Sequence, residues 1–145
     1  MTTLIEIICS VSQEEPVRST VEAFCKETDN LLIGRRLNEE TDEVLFAVQL
    51  LQTGSLSGHT KTFNQAQQQG VIASFRYMTC DLVKISFDLS LDLREQMRDF
   101  PLRPDESWYP AIHNTHQAYV CMSRPVMHAK QAASLLARDA AWSFV

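Results

Sequence analysis

Residues 82–92 read Leu-Val-Lys-Ile-Ser-Phe-Asp-Leu-Ser-Leu-Asp, and this stretch decides the expected fold class. From Val83 to Leu91 every second residue is apolar, and the residues between them are lysine, serine or aspartate. Strict alternation of this kind predicts a β-strand with one face on a core and the other toward water or a partner. Half-buried strands are typical of antiparallel sheets, so we expect an antiparallel sheet.

Other apolar runs, bounded by turn-forming residues, extend this prediction to a whole sheet. Residues 71–78 form one such run, and the short connection from Met78 to Leu82 predicts a hairpin. A twisted antiparallel sheet of five or six strands accommodates all of the runs. The other predicted strands are residues 4–11, 31–37, 43–52 and 118–122.

Helices predicted between these strands place the chain in the α+β class. A capping-box pattern over Ser12–Glu15, followed by Pro16, marks the beginning of the first helix, which ends at Asp29. Further helices are predicted over residues 61–69, 92–100 and 123–140. We expect the helices to pack mainly on one face of the sheet. The first helix carries one apolar stripe, formed by Val17, Val21, Phe24 and Cys25.

Length and composition favour one globular domain over residues 1–145, because 45% of the residues are apolar and 21% are charged. The sequence shows no internal repeat. The start of the chain has no basic region and places Glu6 inside an apolar run, which argues against a signal peptide. No segment approaches the roughly 18 apolar residues of a membrane span. We therefore expect a cytoplasmic protein that makes no contact with a membrane.

The four cysteines, Cys9, Cys25, Cys80 and Cys121, are widely spaced and form no C-x-x-C pair. Their neighbours are mostly apolar, and a domain of this size can build a core without covalent links. We therefore expect all four to be reduced, buried thiols.

Charge is distributed unevenly along the chain. Residues 1–60 hold ten carboxylates and four basic residues, whereas residues 61–145 hold eight carboxylates and nine basic residues. Such asymmetry bears on partners and association rates, and it favours a basic protein as the partner. Nucleic acid is not expected as a partner, because phosphate binding needs clustered lysine and arginine residues.

The acidic residues of the first helix and of the turn after residue 37 are the main candidates for binding a basic partner. A solvated turn and an acidic helix N-terminus would produce the same pattern, so this alternative remains open. The candidate residues are Glu14, Glu15, Glu22, Glu39, Glu40, Asp42 and Glu43.

The segment from Phe100 to Gln117 shows no period and is predicted to be a long loop. Loops of this length are uncommon unless they are functional or disordered. Trp108 and Tyr109 lie within it, and they would either fill the core beneath the loop or anchor a partner. We include both residues among the candidate partner-binding residues.

No catalytic motif is present in the sequence. There is no G-x-S-x-G elbow and no glycine-rich phosphate loop, so we expect a non-enzymatic protein with no catalytic residue and no cofactor. His113 and His116 are weak candidates for binding a metal, because their spacing matches no zinc signature.

The function that these observations favour is a protein-binding module that neutralises a basic partner. It would be most similar to an immunity protein or antitoxin that blocks a cationic toxin of the nuclease type. One alternative is a small-ligand binder or enzyme with a pocket under the loop 100–117. A second alternative is an acidic homodimeric chaperone or assembly subunit, and the oligomeric state stays open.

Overall fold

The computed structural model describes residues 1–51, 56–87, 93–98, 102–123 and 141–144. The strands in these ranges are β1 (Thr2–Ser10), β2 (Leu31–Asn38), β3 (Glu43–Leu50), β4 (Ser74–Ser86), β5 (Ser107–Pro110), β6 (Gln117–Met122) and β7 (Ala141–Phe144). The helices in these ranges are α1 (Glu14–Thr28), α2 (Leu56–Gln68) and α3 (Leu93–Arg98). A 3-10 turn over Val11–Gln13 precedes α1.

The α+β class with an antiparallel sheet is confirmed. The strands follow the hydrogen-bonded order β2-β3-β1-β4-β6-β5, and β7 pairs with β4 off this path. The chain divides into two compact units, Thr2–Thr79 and Cys80–Val145, and β4 runs from the first into the second. The prediction of a single domain over residues 1–145 remains a prediction.

The N-terminal unit has the order β1-α1-β2-β3-α2-β4 along the chain and the order β2-β3-β1-β4 in the sheet. This is the ferredoxin-like arrangement of two interleaved βαβ units. Both helices cover the same face of the sheet, and the apolar stripe predicted for α1 is confirmed. The core of this unit contains Ile5, Ile7, Cys9, Val17, Val21, Phe24, Cys25, Val44, Phe46, Val48, Leu50, Phe63 and Ile72.

The ends of the helices differ in part from the prediction. Ser12 is not the N-cap of α1: the 3-10 turn moves the helix start to Glu14, and the Ser12 hydroxyl lies 3.0 Å from that of Ser10. Asp29 ends α1 in the left-handed conformation, with φ of 55°. Helix α2 begins at Leu56, five residues before the predicted start at 61.

The C-terminal unit repeats the strand order of the N-terminal unit. Its described elements follow one another as β4-α3-β5-β6-β7, and its strands pair in the order β5-β6-β4-β7. The first, second and third strands therefore occupy the same places as in the N-terminal unit, although the sequence shows no repeat. The core of this unit includes Val83, Ile85, Phe87, Met97, Ala118, Val120 and Met122.

Two predictions about β4 and β5 are wrong. No hairpin turn separates Met78 from Leu82, because β4 continues through these residues as one strand. The segment 100–117 is not wholly irregular, because β5 forms within it by pairing with β6. The predicted strand over residues 88–92 and the predicted helix over residues 124–140 lie outside the described residues. Strand β7 was not predicted.

The cysteines also divide between two states. Cys9 and Cys25 are free and buried as predicted, and burial raises the pKa of each thiol to about 11. Cys80 and Cys121 form a disulfide with their Cα atoms 5.5 Å apart, so the prediction of reduced thiols is wrong for them. The pairing of β4 with β6 sets Leu82 opposite Cys121 and thereby brings Cys80 within bonding reach. Within the described ranges, no helix is long and apolar enough to cross a membrane.

Candidate functional site

The acidic turn between β2 and β3 lies at the same end of the N-terminal unit as the beginning of α1. Ser10, the last residue of β1, pairs with Glu43, the first residue of β3. The next amide, that of Val11, donates a hydrogen bond of 2.9 Å to the carbonyl oxygen of Asp42. The acidic turn and the N-terminal carboxylates of α1, which are 24 to 28 residues apart in sequence, are therefore brought to one end.

Local hydrogen bonds hold the shape of this turn. The side-chain oxygen of Asn38 accepts a hydrogen bond of 3.1 Å from the amide of Glu40, which is the typical contact of an Asx turn. Asp42 adopts the left-handed conformation with φ of 52°, which aspartate tolerates better than most residues. The carboxylates of Glu39, Glu40 and Asp42 are exposed at this turn.

Glu14 and Glu22 are each paired with an arginine within the unit. Arg35 donates two hydrogen bonds, of 2.7 and 2.6 Å, to the carboxylate of Glu14. This bidentate pair lowers the pKa of Glu14 and raises the pKa of Arg35, mainly through the side-chain hydrogen bonds. Glu22 accepts a hydrogen bond of 3.0 Å from Arg18 and lies about 12 Å further along α1 than Glu14.

Four exposed carboxylates form the surface that we call the acidic end. It consists of Glu15, Glu39, Glu40 and Asp42, all of them exposed. Glu14 lies beside this surface but directs its carboxylate to Arg35. The structure thus assembles part of the predicted acidic surface and places Glu22 outside it.

A pocket of about 230 Å³ opens beside the acidic end, on the sheet face opposite the helices. Glu43 and Asn38 line one end of it, and Ile8 and Leu45 contribute apolar walls. These residues are neighbours by register: Leu45 is opposite Ile8 on β1 and Arg36 on β2, and Glu43 is opposite Asn38. The remaining lining residues are Glu6, Arg36, Val44 and Arg76.

Glu6 is the buried charged residue of this pocket, and sequence analysis did not identify it as a site residue. Its side chain is fully buried, and the guanidinium Nε of Arg76, which is half-exposed, donates a hydrogen bond to its carboxylate. A buried carboxylate requires such a partner, because an unpaired charge is costly to remove from water. The signal was a single carboxylate within the apolar run Leu4–Ile8, where an aliphatic residue would otherwise be expected.

The two aromatic candidates belong to the C-terminal unit, where both lie in strand β5 and pack toward its interior. Tyr109 is fully buried in β5, so the structure places its side chain in the interior. Trp108 is half-buried and packs against the core cluster of this unit. Their proposed contact with a partner remains untested.

The histidine candidates show no metal geometry. His113 is exposed, and Nε2 of His116 lies 3.3 Å from the Thr115 hydroxyl. Across residues 1–51, 56–87, 93–98, 102–123 and 141–144, no group of three or more histidine, cysteine or acidic residues is placed to hold a metal.

Comparisons with known proteins give little further information about the function of this site. No family model matches the chain. No curated protein matches it either. Among solved structures, the chain is similar to one described as a "putative glycine cleavage system transcriptional repressor", with 12% identity and a TM-score of 0.40 over 99% of this chain and 97% of that one. A likeness at this level does not indicate what the chain binds, so we base the function on the site itself.

Proposed function

We propose that this protein is a non-enzymatic binding module that recognises a basic protein through the acidic end. It would work most like an immunity protein or antitoxin that covers the cationic, phosphate-binding surface of a nuclease-type toxin. The observation that carries this proposal is the convergence of Glu15, Glu39, Glu40 and Asp42 at one end of the N-terminal unit. All four of these residues are exposed, so together they form an acidic surface that faces solvent at this end.

Electrostatics supports a fast and salt-sensitive encounter with such a partner. Like charges gathered at one end create a field that orients an approaching cationic surface and raises the association rate. At about 0.1 M salt the Debye length is about 10 Å, and more salt shortens it further and weakens this attraction. The affinity of the complex should therefore fall as the salt concentration rises.

The free thiols support a role without covalent catalysis. The nucleophilic form of cysteine is the thiolate. Burial raises the pKa of both Cys9 and Cys25 to about 11, so each stays protonated near neutral pH. Neither thiol is therefore prepared to attack a substrate.

Location in the cytoplasm is part of the same proposal. The disulfide between Cys80 and Cys121 is unusual for that compartment, where thiols are normally kept reduced. Alkylation of intact cells followed by mass spectrometry would measure the state of both cysteines. A fully oxidised pair in every molecule would contradict a cytoplasmic location.

The test of the function compares two variants of equal net charge. The acidic-end variant carries Glu15→Gln, Glu39→Gln, Glu40→Gln and Asp42→Asn. The control variant changes four exposed carboxylates that lie outside the acidic end. Its substitutions are Glu27→Gln, Asp81→Asn, Glu95→Gln and Asp105→Asn.

The tagged wild-type protein is first used at low salt to capture its partner, which native mass spectrometry identifies. Calorimetry with the purified partner then measures the affinity of each form. We expect a basic partner, an affinity about tenfold weaker for the acidic-end variant, and little change for the control. If the partner is a nuclease, the acidic-end variant should also inhibit its cleavage of DNA less. Equal affinities for the two variants would contradict the proposal, and a dimer bound to an unfolded client would favour the chaperone hypothesis.

A further inference from the structure

The pocket beside the acidic end is smaller than a typical cofactor site and matches a single side chain in size. Its volume is about 230 Å³. Sites for drug-sized ligands and cofactors span about 300–1,000 Å³. A long side chain from a partner is therefore a better match in size than a nucleotide or a prosthetic group.

The walls of the pocket combine an aliphatic surface with a carboxylate. Ile8 and Leu45 are half-buried cross-strand neighbours, so their side chains form one continuous apolar surface. Glu43 and Asn38 face each other in the next row toward the turn, and each offers oxygen atoms that can accept hydrogen bonds. An aliphatic stem that ends in a hydrogen-bond donor fits this order of groups.

Charge decides between a cationic and an anionic occupant. The pocket walls hold two carboxylates, Glu6 and Glu43, and two guanidinium groups, Arg36 and Arg76, so their formal charges balance. Arg76 is directed to Glu6 by a hydrogen bond. The net charge around the pocket is negative, because the neighbouring turn from residue 39 to residue 42 contains three acidic residues and no basic one. This field attracts a cation to the mouth of the pocket and repels an anion.

We propose that this pocket receives one arginine or lysine side chain of the basic partner, with the aliphatic stem on Ile8 and Leu45 and the charged head at Glu43. The inference rests on the proposed function and deepens it, because it identifies where the acidic surface becomes a specific anchor. Long basic side chains commonly bury their stems on apolar surface while keeping the charged head at a polar group. A single desolvated arginine in such a pocket often carries much of the binding energy of an interface.

The first part of the test uses small probes of similar length, followed by nuclear magnetic resonance. The probes are N-acetyl-arginine amide, N-acetyl-glutamate amide and N-acetyl-norleucine amide. We expect the arginine probe alone to shift the backbone amides of Ile8 and Leu45. Stronger shifts with the glutamate probe would make the pocket an anion site and overturn the inference, as would the absence of shifts with the arginine probe.

The second part uses two pocket variants. Glu43→Gln keeps the shape of the pocket and removes the charge, and we expect it to weaken binding of the arginine probe about tenfold. Leu45→Phe fills the pocket and should abolish probe binding, while thermal unfolding confirms that each variant is folded. Glu27→Gln, which removes an exposed carboxylate of α1, serves as the control and should bind the probe like the wild type.

The same variants separate the two proposals when they are tested against the captured partner. If the acidic-end variant loses affinity but Glu43→Gln and Leu45→Phe do not, the pocket inference is wrong and the proposed function stands. If the acidic-end variant keeps its full affinity for the partner, the proposed function is wrong, whatever the arginine probe does.

Discussion

The two units of this chain share one strand order, yet different bonds link distant residues in each. In the N-terminal unit an ion pair joins Glu6 to Arg76 across 70 positions of sequence. In the C-terminal unit a disulfide joins Cys80 to Cys121 across 41 positions. An ion pair depends on two charges, whereas a disulfide depends on an oxidising environment. We therefore expect the two units to respond to different conditions, although their topology is the same.

Reduction of the disulfide should have the largest effect and should act on the C-terminal unit. Opening a loop of 41 residues raises the entropy of the unfolded chain and lowers stability by about 4 kcal/mol. Both tryptophans, Trp108 and Trp142, belong to this unit, so tryptophan fluorescence during urea unfolding reports on it selectively.

The control for this prediction is the double variant Cys80→Ala and Cys121→Ala. It should unfold like the reduced wild type and show no further response to a reductant. If the unfolding midpoint of the wild type is the same with and without reductant, the disulfide does not stabilise the C-terminal unit and this prediction is wrong.

Loss of Arg76 should destabilise the N-terminal unit by about 3 kcal/mol, because Arg76→Leu leaves a buried carboxylate without this guanidinium. We choose the lower end of the usual range since the Arg76 side chain is 54% exposed. The double variant Glu6→Leu and Arg76→Leu should recover most of the stability. Hydrogen exchange of the β1 amides measures both effects within this unit.

Arg18→Leu is the matched control, because it breaks the exposed pair with Glu22 and should change stability by less than about 1 kcal/mol. Equal effects of Arg76→Leu and Arg18→Leu would show that burial of Glu6 does not distinguish the two pairs.

Acid should weaken the N-terminal unit through His59, with the smallest effect of the three. His59 is 5% exposed, packs edge-on against Phe24 with ring centroids 4.9 Å apart, and its Nε2 has no hydrogen-bond partner in the described part of the chain. Burial lowers its pKa below the ordinary value of 6.5. Below pH 6.5 the unfolded state therefore binds the proton more readily, and stability falls by at most about 1.4 kcal/mol per pH unit.

Urea unfolding measured between about pH 5 and pH 8 tests this slope. His59→Leu should flatten it, and His113→Ala, which changes an exposed histidine of the C-terminal unit, should leave it unchanged. A wild-type slope that persists in His59→Leu would assign the pH dependence to other groups.

Local patterns predicted most of the N-terminal unit correctly. The stripe on α1 follows from the period of its apolar residues, and the strands β1, β2 and β3 follow from apolar runs bounded by turn-forming residues. Such periods are visible in the sequence because a core selects side chains at regular spacing. The acidic turn was visible for a similar reason, since its residues are consecutive.

Predictions failed where pairing decided the structure. The assumed hairpin at residues 78–82 contains no glycine, proline or asparagine, and nothing prevents β4 from continuing through it. Strand β5 is only four residues long and ends at Pro110, so it has little local signal. It exists because β6 supplies its hydrogen bonds, which a reading of residues 100–117 alone cannot detect.

The sequence by itself determined the α+β class, the core face of α1 and the uneven distribution of charge, because each depends on residues that are near one another in the chain. Only the tertiary structure decided that Glu14 pairs with Arg35, that Glu6 is buried beside Arg76, and that Cys80 forms a disulfide with Cys121. These contacts join residues 21, 70 and 41 positions apart. No local period encodes such contacts, since they arise only after strand pairing has brought distant segments together.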